Sequence, residues 1–257
     1  MGGGTGLLYG VYERRLRREI DEANVPRHVG VILDGHRRYA RAEGLPDYQA
    51  SYRAGMRRFE EFIGWAQDPR IPAITAWVLS PQNLERPTEE LEPYFEVLIE
   101  LFDRLPALAE TYDLRIRPIG RLDLLPDHLA AAARKLEAAW PSGEATLNIA
   151  IGYGGREEIV DAARRLVADL VDEGVPPGEL AGRVTDASLG AHMYSPDVPD
   201  ADLIIRTSGE SRLSGFLLWQ SAYSEFAFVD VYWPQFRRVD YLRTLRDFAQ
   251  RQRRFGK

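Results

Sequence analysis

Apolar positions recur along this chain with two different periods, and the switches between them divide it into elements. Across 7–23, Leu7, Leu8, Val11, Tyr12, Leu16 and Ile20 return at helical spacing among arginines and glutamates, which predicts an amphipathic helix. It forms an N-terminal arm, 1–25, interrupted by Pro26 and placed on the surface or at a subunit contact. "HVGVIL" (28–33) is a short apolar run suited to a buried strand. In 51–66, Met56, Phe59, Phe62 and Ile63 share one helical face, and 72–80 is the next strand. A long helix over 88–110 follows, with Thr88 as its N-cap and acids in its first turn. Then come a strand (114–120), a helix (126–140), a strand ending in a turn (145–155) and a helix (156–174) closed by Gly174. Two further strands, 201–209 and 225–233, precede a last helix over 239–254.

Strands alternating with helices predict a single α/β domain over 26–257, with a central, mostly parallel sheet of about six strands flanked by helices on both faces. The Pro/Gly-rich stretch 172–182 reads as a surface loop inside it. With 257 residues, 45% of them hydrophobic and no apolar run of the roughly 18 that a membrane span needs, the chain is expected to stay in water. A net charge of −6 argues against nucleic acid as the main partner. The arginines at 237, 238, 243, 246, 251, 253 and 254 read as a solvated helix face. The absence of cysteine excludes disulfides and thiolate metal sites. The first 20 residues lack a basic segment, long apolar core and cleavage site in succession, so a cytoplasmic location is expected.

Chemistry-bearing residues collect where strands end, the place where open parallel sheets bind ligands. After "HVGVIL" come Asp34, Gly35, Arg37 and Arg38. Gly35 lets backbone approach an anion, the following amides donate to phosphate oxygens, and the arginines neutralise charge. A carboxylate beside phosphate calls for an intervening cation, and Asp34 therefore suggests Mg²⁺. A second cluster, Arg206, Thr207, Ser208, Gly209, Arg212 and Ser214, follows "DLII"; two guanidiniums and a hydroxyl suit a diphosphate, with Glu225 as a second metal carboxylate. "LSPQNLERP" adds Ser80, Asn83 and Arg86 at a third strand end. Taken singly, these are equally consistent with a helix cap beside an arginine-rich face or a loop held by salt bridges. Two phosphate-like clusters, each with an acid at hand, shift the balance to a diphosphate site. The glycines at 152, 154 and 155 do not match G-x-G-x-x-G, and no Walker, H-E-x-x-H or G-x-S-x-G pattern occurs.

In order and spacing, "HVGVILDGHRRYA", "LSPQNLERP", "LNIAIGYGGREEIVDA", "DLIIRTSGESRLSGFLLWQSAYSEFAF" and "YWPQF" resemble the cis-prenyltransferases, or Z-isoprenyl diphosphate synthases. "SGFLLWQSAYSE" and "LLYGVYERRLRREI" look most like the short-chain, Z-farnesyl type. The resemblance implies condensation of an allylic diphosphate with isopentenyl diphosphate. Asp34 would then serve Mg²⁺ and leaving-group departure, with Glu225 sharing the metal. Gly35, Arg37, Arg38 and Arg86 would hold the allylic diphosphate, and Arg206, Arg212 and Ser214 the isopentenyl diphosphate. Arg254 and Gly256 resemble a C-terminal R-x-G element reaching a neighbouring subunit, which makes a homodimer the expected state. An apolar tunnel would be walled by Trp77, Leu79, Phe95, Leu98, Leu101 and Phe102, with Val78 narrowing it to favour a short product.

The chain departs from the family at His36 and Tyr39, which stand where Asn and Trp are usual, at Gln82 and Leu84, and at Tyr52, where many members have His. His36 and Asn83 join Asp34 as candidate catalytic residues, His36 as proton carrier or phosphate donor, while Tyr39 and Ser80 are candidates for substrate contact. The resulting expectation is a Mg²⁺-dependent synthase making a C15 Z-prenyl diphosphate from geranyl and isopentenyl diphosphates. The alternatives are head-to-middle coupling of dimethylallyl diphosphate units and a non-catalytic partner subunit.

Overall fold

The computed structural model describes residues 3–251, with side chains described from residue 9. The side chains of Leu7 and Leu8, and Arg253, Arg254 and Gly256 altogether, therefore lie outside what is described below. The elements run α1 (Gly3–Glu19), β1 (His28–Ile32), α2 (His36–Ala42), α3 (Tyr48–Gln67), β2 (Ala73–Leu79), α4 (Thr88–Tyr112), β3 (Leu114–Ile119), α5 (Asp127–Ala139), β4 (Ala145–Ile151) and α6 (Gly155–Asp172). The short helix α7 (Leu180–Arg183) begins at the end of the expected loop, and α8 (Asp186–Gly190) follows it, before β5 (Leu203–Arg206), β6 (Glu225–Phe228) and α9 (Arg238–Gln250). Three expectations are corrected. The last two strands are shorter than their apolar runs, because the chain turns away after Arg206 and Phe228. Thr88 is the first helical residue rather than the cap, a position that Pro87 takes with extended backbone. The separate helix α2 also stands directly behind β1.

The six strands form one sheet in the order β3-β4-β2-β1-β5-β6, and every pairing is parallel. Alternation along each strand sorts side chains to two layers. Val29, Val31, Ile74, Ala76, Leu147, Ile149, Leu203 and Ile205 enter the larger core with α3, α4 and α5. Ile32, Ala150 and Ile204 face a smaller core built with Tyr153, Phe216 and Leu217. The N-terminal helix joins the larger core through Leu16 and Ile20, and its Tyr12 hydroxyl accepts from Arg243 on α9. No described helix is long and apolar enough to cross a membrane.

A polar row crosses the smaller-core face beneath the strand ends. His28 bonds the Pro199 carbonyl and Thr75 Oγ1 at 2.7 and 2.8 Å, Asn148 donates to the same Thr75 oxygen, and Ser195 donates to Asn148. Burial lowers the pKa of His28 to about 4, and the same cause lowers His36 to about 4. Both rings are thus neutral when folded but bind protons below about 6.5 when unfolded. Their contribution to stability is complete above that pH and drains as pH falls towards 4, on the order of 2–3 kcal/mol for each ring. Thermal melts between pH 7 and 4 should show a steep loss that is smaller in His28→Gln; a flat profile would contradict buried neutral histidines.

Candidate active site

The chain leaves β2 and β1 towards one side of the sheet and crosses to β5 on the other, so a crevice opens at the carboxyl end of β1, as expected at a topological switch. A cavity of about 710 Å³ lies there. It is lined by Asp34, Gly35, His36, Arg37 and Arg38 behind β1, by Ser80, Asn83 and Arg86 behind β2, and by Arg206, Arg212 and Ser214 behind β5. Three clusters far apart in sequence thus form one site. Arg41 joins them, so six guanidiniums share the cavity with Asp34 inside a chain whose net charge is negative.

Behind β1 the turn depends on Gly35. Its φ is +104°, and a Cβ there would lie 2.8 Å from the Tyr232 ring and 3.0 Å from Ser208. The first-turn N–H groups of α2 have no intrahelical partners and are available to an anion. Helical phase then sorts the side chains. Arg37, Arg38 and Arg41 line the cavity, whereas Tyr39 falls on the far side of α2 and does not, which corrects its assignment to substrate contact. His36 lines the cavity, but its Nε2 is buried without a partner and turned to α3, where a Cβ on Gly55 would sit 2.0 Å away.

Behind β5, Arg206 is only 4% exposed and serves as the central tie. Its Nη2 donates to Asp34 Oδ2 at 2.8 Å, and its Nη1 to Ser214 Oγ at 2.9 Å and to the Arg212 carbonyl. Thr207 Oγ1 donates to the Asp34 carbonyl at 2.9 Å, and Arg38 donates to Ser208 Oγ at 2.7 Å. Burial alone would raise the pKa of Asp34, but the bond and charge of Arg206, with Ser208 and Arg38, outweigh it and hold the carboxyl below its usual range. Ser208 and Ser214 adopt positive φ, 77° and 53°, a local strain tolerated where a loop must aim its groups.

Behind β2, Ser80 and Asn83 form a reciprocal cap. Ser80 Oγ accepts from the Asn83 amide at 3.2 Å, and Asn83 Oδ1 accepts from the Ser80 amide at 3.3 Å. Arg86 and Arg37 both pair with Glu90, at 3.3 and 3.5 Å. Glu210 likewise holds Arg38 and Arg212, at 3.1 and 2.5 Å. The residue reading missed these two carboxylates and Arg41, although the four-residue spacing from Arg37 to Arg41 and from Arg86 to Glu90 on helical ground was a usable signal.

The interior is apolar. Ile32, Leu33, Trp77, Val78 and Leu79 line it together with Tyr52 and Tyr94. Phe95, Leu98, Leu101 and Phe102 do not: they are at most 3% exposed and packed into the larger core, so the expected tunnel walls on α4 are corrected to plain core. Glu225 is not brought to Asp34 either. It opens β6 and pairs in register with Leu203, at the amino end of the sheet, because parallel pairing keeps strand starts together. Two strands and three residues of rise, each roughly 10 Å, separate it from the β1 end. Its carboxylate accepts from Arg251 at 3.0 Å, so within one chain it does not share a metal with Asp34. Among the described residues no group of three or more His, Cys, Asp or Glu is placed to hold a metal ion.

A strand-end cavity with a guanidinium rim, one carboxylate and an apolar interior has the chemistry to suit an anionic head group on an apolar tail. A sequence profile described as "Putative undecaprenyl diphosphate synthase" matches residues 32–256. The chain is 47% identical over 253 residues to a (2Z,6E)-farnesyl diphosphate synthase of Thermobifida fusca, covering 97% of each chain. It is 46% identical to isoprenyl transferase 1 of Corynebacterium efficiens, over 98% of each. Among solved structures, lavandulyl diphosphate synthase from Lavandula x intermedia in complex with dimethylallyl diphosphate superposes with a TM-score of 0.83 at 31% identity, over 92% of this chain and all of that one. The chain belongs to the undecaprenyl diphosphate synthase family of cis-prenyltransferases.

Proposed function

We propose that this protein condenses an allylic diphosphate, with geranyl diphosphate as primer, with isopentenyl diphosphate to give a C15 Z-prenyl diphosphate, diphosphate and a proton. The observation that carries this reading is the joining of a cationic rim to an apolar interior in one cavity. Diphosphate oxygens match planar guanidinium donors, and a prenyl cation needs walls that keep water away. The Thermobifida relative's name supports the same short-chain class.

In this reading Arg37, Arg38, Arg86 and the amides after Gly35 hold the allylic diphosphate while its C1–O bond breaks. Arg206, Arg212 and Ser214 hold the isopentenyl diphosphate so that its alkene faces the developing cation. Trp77, Val78 and Leu79 keep the reacting carbons dry. Fixed positive charge aimed at a leaving diphosphate is where preorganisation lowers a barrier most. Mg²⁺ is the proposed cofactor: one ionised carboxylate, Asp34, fits an ion that takes one or two carboxylates and completes its shell with phosphate oxygens and water. When bound, it would supply further stabilisation of the leaving group's charge.

The test is incubation with geranyl diphosphate and labelled isopentenyl diphosphate, with and without Mg²⁺. One C15 product with a new Z double bond is expected, lost on chelation. A ladder of longer products would overturn the short-chain assignment, and full activity in chelator would overturn the metal. One observation favours a second reading: the lavender relative was crystallised with dimethylallyl diphosphate. Product from dimethylallyl diphosphate alone would favour head-to-middle coupling of two such units.

A further inference from the structure

We propose that Tyr94, braced by Tyr52, is the stop for the prenyl tail and sets the product length; this rests on the short-chain reading above. The cavity wall includes both tyrosines and Val78 but none of the next α4 residues, Phe95 and Leu98, which lie sealed in the core. The Tyr94 ring therefore marks where the apolar interior ends along α4.

The stop is held from two sides. β2 carries an irregularity between Trp77 and Leu79 that leaves Val78 without a register partner on β4. A residue in such a bulge drops out of the ladder. The Tyr94 hydroxyl donates to the Val78 carbonyl at 2.5 Å, which satisfies a buried acceptor and pins the phenol to the sheet. The Tyr52 ring packs against Tyr94 with centroids 4.5 Å apart, and its hydroxyl donates to Glu90 at 3.4 Å. Glu90 in turn holds Arg37 and Arg86. The end of the tail space and the head-group arginines are thus tied to one another, which gives the cavity a set length.

Val78 narrows the same space but is a small side chain beside the ring, whereas Tyr94 closes it with a whole aromatic group. Removing that ring leaves a void in the cavity wall where the aromatic group stood. A longer tail then finds room, and discrimination against adding another isoprene unit falls.

The experiment compares products of the unsubstituted protein, Tyr94→Ala, Tyr94→Leu and Tyr94→Phe, each supplied with geranyl diphosphate and excess isopentenyl diphosphate. Tyr94→Ala and Tyr94→Leu should raise the ratio of C20 and longer products to C15 by roughly 10-fold or more, the scale at which pocket size discriminates between homologous chains. Tyr94→Phe, which keeps the ring, should still make C15. Tyr94→Leu carries the test if the alanine variant does not fold. A C15 product from the unsubstituted protein, with no lengthening in either shortened variant, overturns the stop and leaves the short-chain reading intact. A ladder from the unsubstituted protein overturns the short-chain reading, and the stop with it.

Discussion

Asp34→Asn lowers kcat by about 10²–10³, the range seen when one preorganised electrostatic group is removed from an active site. The substitution keeps the shape and one acceptor oxygen for Arg206, whose Nη2 lies 2.8 Å from Asp34 Oδ2, so the fold and the loop survive. What disappears is the negative charge among six guanidiniums. The rim becomes more positive, and diphosphate affinity is retained or improved. The signature is therefore a split: kcat falls while KM for either diphosphate holds or drops, and the response to Mg²⁺ weakens. Steady-state kinetics across a Mg²⁺ series check it. A raised KM with unchanged kcat would assign Asp34 to substrate binding alone.

Arg206→Lys is expected to cost at least 10²-fold in kcat/KM for isopentenyl diphosphate, because a guanidinium fork and an ammonium are not interchangeable at a bidentate site. Arg206 reaches Asp34, Ser214 and the Arg212 carbonyl from two different nitrogens. A lysine nitrogen is a single point and cannot span those directions. Buried acceptors left unpaired cost about 1–3 kcal/mol each, so the melting temperature falls as well. Arg206→Ala goes further, since breaking a buried ion pair typically costs about 3–5 kcal/mol. Isothermal titration with isopentenyl diphosphate and a thermal melt read the two effects separately. Native affinity in the lysine variant would place the isopentenyl group elsewhere.

Much of the site was legible because its residues follow apolar runs. A buried parallel strand is a short uninterrupted apolar stretch, so its end is visible in sequence, and chemistry placed just beyond it is visible too. That logic located Asp34, Arg206 and Ser80 in one cavity. It failed at Glu225, which precedes its strand rather than following it, and parallel pairing sends strand starts to the opposite end of the sheet. It failed at Tyr39, which helical phase along α2 turns away from the cavity that Arg37, Arg38 and Arg41 line. On α4, Tyr94 and its neighbour Phe95 both belong to the larger core, but only Tyr94 also lines the cavity, a distinction that apolar periodicity does not draw.

The amino-acid sequence by itself determined the alternation of strands and helices, the parallel sheet and the residue types at each strand end. These follow from local rules: burial on both faces demands apolar runs, and turns behind strands demand glycine and small polar groups. Only the tertiary structure decided strand order, and with it which strand ends meet around β1. It also decided that Glu90 and Glu210 hold the arginines of the rim, and that a bulge in β2 frees the Val78 carbonyl for Tyr94. Those contacts join residues from separate elements, and their geometry depends on how the elements pack, which no local pattern encodes.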